Sequence, residues 1–227
     1  MKRGKEMLTE EKREQLLELS TALAVDAMDR LGLQESVLNP AISPVVPFTR
    51  MVGTAVTVLL RSQPDPAKAD LTVYTRAFET AGELCCPIIA VEVPAAHHHQ
   101  AIFGEGAATG ARRHGFVGAL VDGAVRDTYE LRDMGFPAFS RTTSPGYICG
   151  KVEAVSKGDP IRVGGVTIEP GAIIFGDNDG VMVIAAVHLD SVIQKAGEIK
   201  QWEQQVHRQI AEGRPFKEAL ASAGAMP

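Results

Sequence analysis

Glu105 and an adjacent pair, Arg126-Asp127, flank an apolar run at residues 117–121 that leads into Asp122-Gly123. If 117–121 is a buried strand, Asp122-Gly123 leaves its carboxyl end, where the sites of α/β proteins gather. Arg126 and Asp127 then occupy the first turn of the next helix and face the same mouth. An aspartate there can bind a hard divalent cation through oxygen. The neighbouring arginine supplies planar donors suited to a carboxylate or a developing enolate oxygen. An ordinary helix start, with Asp127 favoured by the dipole and Arg126 in a surface ion pair, accounts for the same spacing. Spacing alone does not choose between them.

Other polar groups offer less. Adjacent residues in an extended chain point to alternate faces, so of His97, His98 and His99 only the first and third could chelate together, and no further ligand is evident. Arg141 could meet the distal carboxylate of a dicarboxylic substrate or lie free in a loop. Asp122 could orient Arg126 or a metal-bound water, although an Asp-Gly pair leaving a strand is commonly a turn. Asp177-Asn178-Asp179-Gly180 opens like a calcium loop, but Ala185 and Ala186 stand where its closing glutamate is needed, which favours a tight turn. Gly104 and Gly106 lack the spacing of a dinucleotide fingerprint, and no Gly-Lys-Ser/Thr sequence offers a phosphate loop.

The elements that must position these groups follow from patterning. Thr9 and Ser20-Thr21 read as helix caps, the second opening a helix over 22–31 that stops at Gly32. Pro40, Pro44 and Pro47 interrupt regular structure, after which 51–60 reads as a buried strand. Helices over 71–81, 104–114 and 126–134 alternate with strands over 87–93, 117–121 and 137–139, which is an α/β arrangement. Beyond residue 151, turns at Lys157-Gly158-Asp159, Gly164-Gly165, Pro170-Gly171 and Asn178-Asp179-Gly180 separate short, partly antiparallel strands. A long amphipathic helix follows, with Leu189, Val192, Ile193, Ala196, Ile199, Trp202, Val206 and Ile210 in one stripe that can pack on a neighbouring subunit. No internal repeat interrupts this order, and one domain over 1–227 is expected.

Composition narrows the class. The 227 residues are 45% hydrophobic and 22% charged, an ordinary globular balance. A formal charge of -5 supplies no global positive field for nucleic acid. Cys85, Cys86 and Cys149 form no metal-spacing motif, and their odd count in a chain with no secretory signature points to reduced thiols and a cytoplasmic location. No run approaches the roughly 18 apolar residues of a membrane span, so a soluble protein is expected.

Glu105, twenty intervening residues and Arg126-Asp127 together resemble the acidic-X20-Arg-Asp signature of the class II pyruvate aldolases. These are the 4-hydroxy-4-methyl-2-oxoglutarate aldolases, grouped with the regulator of ribonuclease activity A. The likeness extends over nearly the whole chain, through Leu19-Ser20-Thr21 with Asp26-Ala27, Met51-Val52-Gly53-Thr54-Ala55-Val56-Thr57, Val121 to Asp127, Gly135-Phe136-Pro137 and Gly176-Asp177-Asn178-Asp179-Gly180-Val181. It implies a layered α/β sandwich with a swivelling β/β/α-type core, mixed sheets and N- and C-terminal helices, assembled as a trimer or a dimer of trimers.

By that resemblance Asp127 would ligate Mg²⁺ or Mn²⁺ directly, with Glu105 holding the ion's waters. Arg126 would stabilise a pyruvate enolate, and the backbone N–H groups of Gly106 and Ala107 would hold the substrate carboxylate. A glutamate from an adjacent subunit's C-terminal helix would join the water network, matched here by Glu203, or alternatively Glu198. Two departures bear on substrate scope: Glu105 is one methylene longer than the family's aspartate, and Gly106-Ala107 replaces a bulkier pair. The implied reactions are retro-aldol cleavage of a 4-hydroxy-2-oxo acid and decarboxylation of oxaloacetate, which release the same enolate. The family also implies a non-catalytic alternative, a protein that binds an RNA-degrading enzyme. A methyltransferase label sometimes attached to it finds no glycine-rich turn suited to a nucleoside cofactor.

Overall fold

Strand β2 (Met51–Ser62) is built from valine, threonine and leucine, and it carries pairing partners on both sides. The computed structural model describes residues 7–34, 36–79 and 84–227. Before β2 come α1 (Glu10–Leu17), α2 (Thr21–Arg30) and the two-residue β1 (Ser43–Pro44). After it come α3 (Thr72–Glu79), β3 (Pro87–Glu92), β4 (Ala101–Phe103), α4 (Glu105–Arg113), β5 (Gly118–Val125), α5 (Thr128–Asp133) and β6 (Ala138–Thr143). The chain continues through β7 (Val152–Lys157), β8 (Ile161–Val163), β9 (Val166–Ile168), β10 (Ile173–Asp177) and β11 (Gly180–Ile184), and closes with α6 (Leu189–Ala211) and α7 (Phe216–Ala223).

Strands β2, β3, β5 and β6 are parallel neighbours, as the alternation of strand and helix requires. Antiparallel β10 and β11 extend the sheet beyond β2, β1 extends it beyond β6, and β1 lies against β11, so the mixed sheet nearly closes on itself. Side chains therefore sort by parity. Ile88, Ala90, Leu120, Phe139, Ile174 and Val183 fill the interior, while Ile89, Val91, Ala119 and Val121 pack outward under α3 and α4. On the other flank, Ile173, Phe175, Met182 and Ile184 pack outward against α1, α2 and α6.

Thr9 and Ser20 cap α1 and α2 through their side chains, as their residue types predict. Asp177 does more than make its turn: its carboxylate accepts the Thr21 N–H and hydroxyl at 2.8 Å each and the Asp179 N–H at 3.0 Å. One buried aspartate thus ties the β10–β11 turn to the start of α2, and the tight turn is the correct reading of that segment. The predicted turns at 158, 164–165 and 171 also form, each with glycine at positive φ.

Several boundaries differ from expectation. The helix expected over 71–81 is Thr72–Glu79, and residues 80 and 81 lie outside those described. The brief strand at 137–139 runs on as β6 to Thr143. Strand β5 does not stop at residue 121, and Asp122-Gly123 is strand rather than turn. Asp122 points into the nearly closed interior, where Arg141 of β6 pairs with one carboxylate oxygen and the Gly164 N–H donates to the other at 3.2 Å. Tertiary partners override the local turn preference. The pair also fastens the β8–β9 hairpin, which reverses at Gly164-Gly165, across the end of the barrel-like sheet.

Asp122 retains 10% and Arg141 23% of side-chain exposure, so losing one partner strands a largely desolvated charge. Asp122→Asn should cost about 2 kcal/mol and lower the melting temperature by about 4–8 °C. A thermal melt checks this; Arg141→Met in the same background should recover part of the loss, because the unpaired cation goes with it.

Candidate functional site

The polar group forms where β5 ends. The Arg126 N–H donates to the Phe103 carbonyl at 3.0 Å, which keeps Arg126 in the extended run between β4 and β5 rather than in a helix. Asp127 takes left-handed backbone angles, φ 57° and ψ 46°, and only after it does α5 begin, at Thr128. Arg126 and Asp127 therefore precede the helix in which they were expected. Aspartate is among the few residues that tolerate this conformation. The reversal turns the Asp127 carboxylate back towards α4.

Helix α4 starts without a side-chain cap because Gly104 has none to give. The Asp127 carboxylate supplies it from the neighbouring strand end: Oδ2 accepts the Glu105 N–H at 3.0 Å. Gly104 is needed there, since a Cβ would collide with Asp127 Oδ2 and the Arg126 side chain. The next two N–H groups, of Gly106 and Ala107, lie in the first turn of α4 and have no intrahelical acceptor. They open beside the same carboxylate and beside Glu105, whose side chain is exposed.

Arg126 Nε lies 3.6 Å from Asp127 Oδ2, and both side chains remain over a third exposed. The guanidinium carbon sits 4.9 Å from the ring centroid of Tyr147, a residue that sequence patterning did not single out. Tyr147 is carried to the site by pairing of the 146–147 segment with Ala101 at the start of β4. Its phenol is held above its ordinary pKa by a hydrogen bond and proximity to Cys149 and by partial burial, with Arg126 pulling the other way. An exposed cation–aromatic contact contributes about 0.5–1 kcal/mol, so Tyr147→Leu should lower kcat/KM about 2–5-fold if it positions Arg126. Steady-state kinetics should then show Tyr147→Phe close to the native protein.

The remaining candidates disperse. Asp122 is committed to Arg141 and the Gly164 N–H, which leaves Arg141 holding a carboxylate of this chain. His97 meets Gln100 at 2.9 Å and His98 the Val93 carbonyl at 3.0 Å, each with a partner of its own. Glu203 is half-buried on α6, which packs on α1, α2 and α7 on the flank away from α4 and α5, so one chain does not bring it to Arg126. Glu198 is tied within its helix by Lys195 at 2.6 Å and Gln194 at 3.1 Å, and the same contacts hold its carboxyl below the usual range.

The donor set suits a hard, mostly hydrated cation. Asp127 offers one carboxylate whose Oδ2 is taken by the α4 cap and whose Oδ1 has no partner among the described residues. Exposed Glu105 can reach waters around such an ion. Magnesium dehydrates reluctantly and needs few protein ligands. Asp127 and Glu105 both offer oxygen.

A mixed sheet nearly closed on itself, helices on both flanks and a carboxylate–guanidinium pair at the end of a central parallel strand define a layered α/β protein with a strand-end polar site. The chain belongs to the RraA-like family, described as Aldolase/RraA, whose model matches residues 21–183.

Among relatives, a Halalkalibacterium halodurans protein provisionally named a 4-hydroxy-4-methyl-2-oxoglutarate aldolase is 32% identical over 180 residues, 78% of each chain. Protein DlpA of Legionella pneumophila is 28% identical over 209 residues, covering 91% of this chain; this chain spans about a third of its length. A Streptomyces coelicolor structure, described as an unusual member of the RNase ES inhibitor RraA family, superposes with a TM-score of 0.76 at 23% identity, covering 87% of this chain and 96% of that one. At that identity the likeness concerns fold. Among the described residues, no helix is long and apolar enough to cross a membrane.

Proposed function

We propose that this chain is a divalent-metal-dependent carbon–carbon lyase. It cleaves 4-hydroxy-4-methyl-2-oxoglutarate or a related 4-hydroxy-2-oxo acid to pyruvate and also decarboxylates oxaloacetate. The observation that carries the reading is the left-handed Asp127, which presents a half-exposed carboxylate at the α4 start beside Arg126. Kinship with a relative provisionally named as such an aldolase supports it.

Asp127 would hold Mg²⁺ or Mn²⁺, with Glu105 ordering the surrounding waters. The bound ion would supply Lewis-acid polarisation of the 2-oxo acid and a base effective near neutral pH. The N–H groups of Gly106 and Ala107 orient the substrate by its carboxylate, helped by the positive end of α4. Arg126 faces the oxygen on which charge develops as the bond breaks, so its donors contribute more in the transition state than in the ground state. Tyr147 keeps the guanidinium from swinging into solvent. None of these roles needs a covalent lysine.

Glu203 completes the water network only from a second subunit, as a trimer or a dimer of trimers would supply it. Mass measurement in solution checks that: a stable monomer would remove Glu203 from the site. The function itself is tested by following pyruvate from 4-hydroxy-4-methyl-2-oxoglutarate and from oxaloacetate with Mg²⁺, Mn²⁺ or a chelator. Release that needs the metal is expected. No release from either substrate under any condition would overturn the lyase reading and turn attention to a protein-binding regulator.

A further inference from the structure

Residues 85 and 86 are consecutive cysteines joining the described end of the 84–86 bend to β3, and no spacing rule marks them as ligands. The fold supplies what the sequence lacks. Cys86 Sγ lies 3.2 Å from Glu10 Oε1 at the start of α1 and 3.7 Å from Cys85 Sγ, and one ligand atom from each of the three residues falls within 4.8 Å of the others. Tetrahedral zinc with bonds of about 2.3 Å to sulfur and 2.0 Å to oxygen sets S···S near 3.8 Å and S···O near 3.5 Å. The two separations from Cys86, 3.7 Å and 3.2 Å, sit close to those edges, and the Cys85–Glu10 edge is no longer than 4.8 Å.

The cysteine pair is also held in place before any ligand arrives. Thr54 of β2 donates its N–H to the Cys86 carbonyl at 3.0 Å and its hydroxyl to the Cys85 carbonyl at 2.8 Å. Cys86 adopts φ 49°, which turns its carbonyl towards β2 while its side chain faces Glu10. Cys85 lines a cavity of about 470 Å³ shared with Leu8, Thr54 and Glu169, giving a route for an ion and room for a fourth ligand.

We propose that Glu10, Cys85 and Cys86 form a binding site for a thiophilic divalent cation of the zinc type, separate from the hard-cation site at Asp127. Binding exchanges two thiol protons for one cation: both Cys85 and Cys86 become thiolates, the Glu10 carboxylate supplies an oxygen, and water from the cavity fills the fourth position. Burial, the Glu10 hydrogen bond and Cys85 push the Cys86 thiol up to about 12, with Arg13 pulling the other way. Because both cysteines give up a proton to bind the cation, uptake weakens as pH falls.

The test uses the full chain, reduced with a non-thiol reductant and stripped by a chelator. Titration with Cd²⁺, followed by thiolate-to-cadmium charge-transfer absorption, should saturate at one ion per chain, with Zn²⁺ competing. Cys85→Ser and Cys86→Ser should each abolish the band, and Glu10→Gln should weaken binding about tenfold, whereas Cys149→Ser and Asp127→Ala should leave it intact. Should a cysteine variant fail to fold, X-ray absorption on the native zinc-loaded protein decides, with two sulfur scatterers at about 2.3 Å expected. A band that depends on Cys149, no band at all, or fewer than two sulfurs around zinc would overturn the proposal. Pyruvate release with Mg²⁺ is read separately, so loss of either site leaves the other interpretable.

Discussion

Asp127→Ala should abolish metal-dependent pyruvate release, with kcat/KM falling about a thousandfold, equivalent to about 4 kcal/mol of transition-state stabilisation. The alanine variant removes three things at once: the carboxylate for the cation, the cap on the Glu105 N–H, and a residue type that tolerates φ 57°. Alanine in the left-handed region costs about 1–2 kcal/mol on its own, so a lower melting temperature should accompany the lost activity. Asp127→Asn separates the effects. Asparagine accepts the same backbone angles and can still cap α4 through its carbonyl oxygen, yet it carries no charge for the ion. It should melt like the native protein while remaining nearly as inactive as the alanine variant. An asparagine variant with near-native turnover would remove Asp127 as the metal ligand.

Gly53→Ala should be the most damaging single methyl in the molecule's sheet. Gly53 lies on β2 where the chain before β3 comes closest, and a Cβ there would overlap the Cys86 carbonyl and crowd Ile88. The obstacle is backbone, held by the Thr54 N–H, so it cannot rotate away like the end of a side chain. We expect a loss of about 3 kcal/mol and a melting temperature lower by about 6–12 °C. The same displacement would move Cys86 away from Glu10, so cadmium affinity should fall with stability while Cys149 reactivity stays put. A melting temperature within about 2 °C of native would mean that β2 and β3 separate more easily than their register implies.

Much of the site was legible because its residues lie at element boundaries. Glu105, Gly106 and Ala107 stand at the start of a helix whose alanines and terminal arginines announce it, and α4 forms one residue from each predicted end. Arg126-Asp127 lies at the carboxyl end of its strand, although before the helix in which it was expected. What misled was Asp122-Gly123, a local turn signal cancelled by Arg141, nineteen residues away, and by Gly164, forty-two residues away. Tyr147 left no trace in periodicity because it sits in an irregular segment, placed by a single bridge to Ala101.

The sequence by itself determined the elements and their order. Alternating apolar runs, caps at Thr9 and Ser20, and turn glycines are local preferences, each acting within a few residues. It also determined, through the spacing from Glu105 to Arg126-Asp127, which charged groups could meet at one strand end. Tertiary structure alone decided the geometry between them: that Asp127 caps another helix, that Gly104 must lack a side chain, that Asp122 latches a hairpin and that Glu10 joins the two cysteines. These are contacts between residues up to 76 positions apart. They arise because a sheet that nearly closes brings distant strand ends together at each of its rims, and no local propensity encodes which side chains meet there.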